Sequence, residues 1–123
     1  MNARILVIDD EDSIRFTFEN FLSDEGYEVV TAPNYEKAIS AISEKDFDVV
    51  FTDIVLEGTT GIDVLREVKK ISPNCPVIMI TGAPDAKTAS EALRLGAYDY
   101  LFKPIKQDTL LHTTKKVLQH KRL

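Results

Sequence analysis

Cysteine occurs once in the 123 residues, at Cys75, so no internal disulfide can form and the chain suits a reducing compartment. No histidine, lysine or arginine flanks Cys75 in sequence to lower its pKa, so it reads as a packing residue between Pro73 and Pro76. Proline and glycine number only five each, which leaves no linker or disordered stretch. Apolar runs extend only a few residues, and Met1-Asn2-Ala3-Arg4 lacks the apolar stretch of a signal peptide. A membrane span is therefore excluded, and a cytoplasmic location with no membrane partner is expected. Positive charge is short too: 15 Lys and Arg against 20 Asp and Glu leave a net charge of -5. That balance lacks the general attraction to phosphate backbones, so direct nucleic-acid binding is not expected. The basic residues Lys115, Lys116, His120, Lys121 and Arg122 fall in the last turns of the final helix, where cations complement its dipole.

What is present is an ordinary globular composition, 44% apolar and 28% charged. A chain of this length buries roughly two-thirds of its unfolded surface and needs neither disulfide nor metal to fold. One domain over 1–123 is expected. Two periodicities alternate along it. Ile5-Leu6-Val7-Ile8 reads as a strand buried on both faces, and the helix after it, with Ser13 as N-cap, carries Ile14, Phe18, Phe21 and Leu22 up to Gly26. Val29-Val30, Val49-Val50-Phe51, Val77-Ile78-Met79-Ile80 and Tyr100-Leu101-Phe102 repeat the strand signal, separated by helical patterns around Ala38 to Ile42, Ile62 to Ile71 and Ala89 to Leu95. A last helix carries Leu110, Leu111, Val117 and Leu118. Five strands alternating with five helices imply an α/β fold, a doubly wound parallel sheet with helices on both faces.

Right-handed crossovers bring the carboxyl ends of all the strands to one rim, where ligands of such sheets bind. The residues at that rim are Asp9-Asp10-Glu11-Asp12, Thr52-Asp53, Thr81-Gly82 and Lys103-Pro104. In an order that sets the first and third strands side by side at the reversal, such as 2-1-3-4-5, Asp9, Asp10 and Asp53 converge. Carboxylates that close repel unless a cation intervenes, and Mg²⁺, which takes oxygen ligands, suits them. Lys103 and Thr81 offer a positive charge and a hydroxyl to phosphate oxygens. The set suggests phosphoryl chemistry with an aspartate nucleophile.

Through Ile8-Asp9-Asp10, Thr52-Asp53, Thr81-Gly82-Ala83 and Lys103-Pro104, the sequence resembles the receiver domain of two-component response regulators, from Arg4 to the final helix. The resemblance implies a flavodoxin-like fold with strand order 2-1-3-4-5. It also implies that Asp53 is the phosphoacceptor and that Asp10, Asp9, Asp53 and the backbone carbonyl of Val55 hold Mg²⁺. Lys103 would pair with the phosphoryl group across a cis bond to Pro104. Thr81 and Tyr100 would form the switch pair, repacking the surface of the fourth helix, fifth strand and fifth helix toward an output domain or protein. A histidine kinase or phosphotransfer protein would be the donor, and a phosphorylation-dependent homodimer is among the implied partners. Catalysis beyond Mg²⁺-dependent self-phosphorylation from small phosphodonors and slow autodephosphorylation is not implied. The ending at His120-Lys121-Arg122-Leu123 looks like the start of a linker helix in regulators whose receiver precedes a transcription-activating ATPase.

The pattern departs from the family in two places. Glu57 stands where a proline is usual, which is expected to loosen Leu56-Glu57-Gly58. Val55 and Ala83 occupy positions where some members carry polar side chains that orient water, so a comparatively long-lived acyl phosphate is expected. Three other classes fit less well. A Mg²⁺-dependent aspartyl hydrolase lacks a cap domain here, a phosphorylation-independent module would have lost pocket residues, and a flavin module would meet four acidic residues where its phosphate binds.

Overall fold

The computed structural model describes residues 2–83 and 85–122, the last two by backbone alone, so the Lys121 and Arg122 side chains lie outside the described residues. Its elements follow the alternation in the sequence: β1 (Arg4–Ile8), α1 (Asp12–Asp24), β2 (Glu28–Ala32), α2 (Tyr35–Glu44), β3 (Val49–Asp53), β4 (Val55–Leu56), β5 (Thr59–Thr60), α3 (Gly61–Ile71), β6 (Val77–Thr81), α4 (Ala86–Arg94), β7 (Asp99–Phe102) and α5 (Gln107–Arg122). Five strands form one parallel sheet in the order β2-β1-β3-β6-β7, which is the expected 2-1-3-4-5 once the short β4-β5 pair is set aside.

Continuous apolar runs form the central strands because helices cover both faces. Alternate residues face opposite ways. Ile5, Val7, Phe51 and Ile80 pack against Phe18 and Leu22 of α1 and Leu110 and Val117 of α5. Leu6, Ile8, Val50 and Met79 pack against Ala38 of α2, Leu65 and Val68 of α3 and Ala92 of α4. This period of two decides which way the rim side chains point: Asp9 and Asp53 continue the first set, Thr52 and Thr81 the second. Cys75 is buried, as a packing residue should be, and its carbonyl accepts a hydrogen bond from Lys69 Nζ at 2.9 Å.

Helix ends depart from the sequence reading in one respect. Ser13 lies inside α1, and the N-cap is Glu11, without a side-chain cap bond. The reason is local: Asp9 Oδ1 accepts the N–H of Glu11, two residues on, at 2.9 Å, and this turn leads the chain into the helix at Asp12. At its other end Gly26, at φ 89°, places its own N–H on Ser23 O and that of Tyr27 on Leu22 O, satisfying the terminal carbonyls. Asn34 and Thr60 cap α2 and α3 through their side chains, two signals the sequence reading passed over. The Leu56-Glu57-Gly58 segment is a tight antiparallel hairpin, β4 on β5, with Val55 opposite Thr60 and Gly58 at φ 78°.

Candidate functional site

The β1 and β3 ends lie side by side, with Ile8 in register with Thr52, so Asp9 and Asp53 emerge from adjacent strands on the same face. Carboxylate oxygens of Asp9, Asp10, Glu11 and Asp53 lie within 4.8 Å of one another. Asp9 is fully buried and Asp53 nearly so, whereas Asp10 and Glu11 are exposed. Across from them Lys103 Nζ stands 2.9 Å from Asp9 Oδ2, 3.0 Å from Asp53 Oδ2 and 3.4 Å from Glu11 Oε1. The Lys103-Pro104 bond is cis.

One ammonium faces four carboxylates. At this spacing two like unit charges repel by about 3 kcal/mol at an effective dielectric near 20, so Lys103 alone leaves the cluster short of positive charge. The titration tendencies agree. Burial raises the Asp9 pKa, aided by the nearby Asp53 charge and opposed by the Glu11 N–H and Lys103. Burial pulls Lys103 down, but its contacts to Asp9 and Asp53 outweigh that and hold it well above the usual lysine value.

The donor set fits Mg²⁺. It offers several carboxylate oxygens at one rim, and the buried Asp9 Oδ2, though within ion-pair distance of Lys103, has no aligned hydrogen bond among the described residues. A cation would satisfy that oxygen. Asp53 Oδ1 accepts the Val55 N–H at 3.2 Å, which turns the start of the hairpin over the carboxylate. Asp10, Glu11, Asp53, Val55, Thr81, Gly82, Ala83 and Lys103 line one open cleft of about 290 Å³. Thr81 is buried there, and its Oγ1 accepts the Ala83 N–H at 3.1 Å.

The family model of the response regulator receiver domain matches residues 5–115. The chain belongs to this family. Over 97% of its length it is 40% identical to the transcriptional regulatory protein ZraR of Klebsiella oxytoca, of which the match covers 27%. A CheY-like receiver domain protein of Methanospirillum hungatei JF-1 superimposes with a TM-score of 0.97 at 30% identity, covering 99% of this chain and 98% of that one. The beryllofluoride-activated receiver dimer of NtrC4 gives a TM-score of 0.91 at 35% identity, over 96% and 98% of the two chains. The chain spans about a quarter of the length of the curated relatives it matches.

In this receiver domain the structure brings together Asp9, Asp10, Asp53, Val55, Thr81 and Lys103, the rim residues singled out in the sequence. Tyr100 stands apart. Its ring lies edge-on to Phe102 at 5.5 Å, its buried hydroxyl has no hydrogen-bond partner among the described residues, and it lines a separate hollow with Asp85, Ala86 and Ala89. Two participants went unassigned in the sequence: Glu11, legible only as part of an acidic run, and Gly61, whose contact with Asp53 carries no sequence signal.

Proposed function

We propose that residues 1–123 act as one receiver domain in which Asp53 accepts a phosphoryl group, with Mg²⁺ held by Asp10, Asp9, Asp53 and the Val55 carbonyl. The observation that carries this is the Lys103 ammonium shared between the two buried carboxylates, 2.9 Å from Asp9 and 3.0 Å from Asp53. A phosphoryl donor brings the same kind of oxygen that Lys103 already binds. Asp53 Oδ attacks phosphorus, its new O–P bond replacing the donor's P–N bond to histidine or P–O bond to a small acyl phosphate, and the leaving atom keeps the electron pair. Lys103 moves its hydrogen bonds from Asp53 to the transferred oxygens, and the buried Thr81 hydroxyl, now an acceptor for Ala83, is placed to donate to one of them. Bound Mg²⁺ would supply charge compensation for the phosphoryl oxygens and the carboxylates together.

The donor is a histidine kinase or phosphotransfer protein. The output runs through the α4-β7-α5 face, where Thr81 bonding to phosphate biases how Tyr100 packs and where Leu93 and Phe102 are exposed. The name of ZraR as a transcriptional regulator supports an output domain or protein of that kind, and the dimeric NtrC4 receiver supports a phosphorylation-dependent homodimer. The switch is placed in the cytoplasm, where such a donor would meet it. Among the described residues no helix is long and apolar enough to cross a membrane.

The test is incubation with Mg²⁺ and acetyl phosphate, followed by intact mass measurement of wild type and Asp53→Ala. Wild type gains the mass of one phosphoryl group and the variant gains none; equal gain by both, or none by wild type, rejects the assignment.

A further inference from the structure

Asp53 ends β3, and its main chain turns at once into the hairpin that carries Val55. Three hydrogen bonds fix this short stretch. Ile54 N–H donates to Ile80 O at 3.0 Å, Gly61 N–H donates to Ile54 O at 2.7 Å, and Thr52 Oγ1 donates to Asp53 O at 3.0 Å. Gly61, the first residue of α3, lies against that same Asp53 carbonyl. A Cβ at this position would stand 2.2 Å from Asp53 O and 2.9 Å from Ile54 Cα. The colliding atoms are backbone, so no flexible side-chain end can swing aside.

Conformation does not call for this glycine, since the left-handed glycines are Gly26, Gly58 and Gly96. Space does. The Asp53 carbonyl is enclosed by a buried hydroxyl on one side and a bare Cα on the other. That peptide plane sets the direction of the Asp53 side chain, and so the 3.0 Å contact to Lys103 and the 3.2 Å bond from the Val55 N–H.

We propose that Gly61 and Thr52 are positioning residues for phosphoryl transfer, holding the Asp53 main chain so that its carboxylate meets the metal and Lys103 in reactive geometry. This rests on Asp53 being the phosphoacceptor. A displacement of about 1 Å at a reacting carboxylate costs up to about a hundredfold in rate, which sets the scale of effect.

The experiment compares wild type, Gly61→Ala, Thr52→Val and Gly58→Ala. Gly58 is the control for a glycine near the site that guards no close approach: it lies in the hairpin that leads into α3, at φ 78°, with nothing within 4 Å of an added Cβ. For each protein the thermal midpoint, the Mg²⁺ dissociation constant by calorimetry and the phosphorylation rate at saturating Mg²⁺ and acetyl phosphate are measured. Gly61→Ala and Thr52→Val are expected to lose about tenfold or more in rate and several-fold in Mg²⁺ affinity while folded. Gly58→Ala is expected to lose stability and keep both constants within about twofold. Folded Gly61→Ala with both constants near wild type overturns the proposal, as does a Gly58→Ala loss equal to that of Gly61→Ala. Should Gly61→Ala not fold, Thr52→Val decides, and wild-type constants in it overturn the proposal. A wild type that takes up no phosphoryl group rejects Asp53 as acceptor, while the Mg²⁺ affinities of the variants still report whether the carboxylate has been displaced.

Discussion

Lys103 Nζ lies 3.0 Å from Asp53 Oδ2, although the two residues are 50 positions apart in the chain. The lysine side chain is only 15% exposed, so it acts as the internal counter-ion of the cluster rather than as a solvated charge. Lys103→Met should therefore lower metal-free stability by about 3 kcal/mol, the scale for breaking a buried ion pair. Mg²⁺ should bind that variant more tightly, by about tenfold, because a competing positive charge is gone. Phosphorylation at saturating Mg²⁺ should fall by about a hundredfold, since a donor aimed at the transferred oxygens is lost. Chemical denaturation with and without Mg²⁺, calorimetry and a phosphorylation time course read the three effects. Unchanged Mg²⁺ affinity would show that Lys103 does not share its carboxylates with the ion.

Glu11 and Asp9 both pair with Lys103, yet their environments predict unequal roles. Glu11 has a 60% exposed side chain and sits 3.4 Å away; Asp9 is fully buried at 2.9 Å. Exposed pairs are worth at most about 1 kcal/mol and are screened by salt. Glu11→Gln should accordingly shift Mg²⁺ affinity by about threefold or less, with the difference fading at high ionic strength. Asp9→Asn should weaken Mg²⁺ by about tenfold or more, and it should raise metal-free stability, because the burial that raises the Asp9 pKa penalises its charge. Equal losses from the two variants, measured by titration calorimetry at low and high salt, would contradict this ranking.

Much of this arrangement was legible in the sequence because parallel strands are apolar on both faces and end abruptly at polar rim residues, as at Ile8-Asp9 and Thr52-Asp53. What escaped was set by local turn chemistry and by contacts across the chain. The α1 N-cap is Glu11 instead of Ser13 because the Asp9 carboxylate takes the backbone N–H two residues on. The β4-β5 hairpin uses two-residue strands, Val55–Leu56 and Thr59–Thr60, too short to print an alternating pattern. Gly61 looks like ordinary punctuation before a helix, and only the folded chain brings it against the Asp53 carbonyl. The third partner of Lys103, Glu11, lies 92 positions away.

The start of α4 should be pH-sensitive through Asp85. Its carboxylate accepts the Thr88 hydroxyl at 2.8 Å and the Lys87 N–H at 3.2 Å, and these bonds, the Thr88 contact first, hold its pKa below the ordinary 3.8. A depressed acid stabilises the fold fully above its unfolded pKa and loses that contribution as pH falls through the lower folded value. Asp85→Ala should then reduce hydrogen-exchange protection in the first turn of α4 at neutral pH, and the gap from wild type should close as acid protonates Asp85. Asp85→Asn, which retains a cap acceptor, should keep most of the protection without that pH dependence. A gap that persists unchanged in acid would mean that the carboxylate charge is not what holds the turn.

The lifetime of the acyl phosphate should be set by the two apolar side chains at the cleft mouth. Val55 is 61% exposed and lines the cleft with Ala83, so each stands where a water would approach Asp53, and neither side chain can hydrogen-bond to it. A water attacking phosphorus needs an acceptor to orient it and take up its proton, a contribution of about a hundredfold where such a group is well placed. Val55→Asn supplies a hydrogen-bonding group from the hairpin side, and Ala83→Glu supplies a carboxylate from the β6 side. Both substitutions fall on exposed positions, so folding should be preserved. Each should shorten the half-life of phosphorylated protein several-fold, followed by intact mass after donor removal, while leaving the rate of phosphorylation within about threefold. Decay at the wild-type rate in both variants would place the control of lifetime elsewhere, with the shielding of Asp53 by the hairpin itself the remaining physical cause.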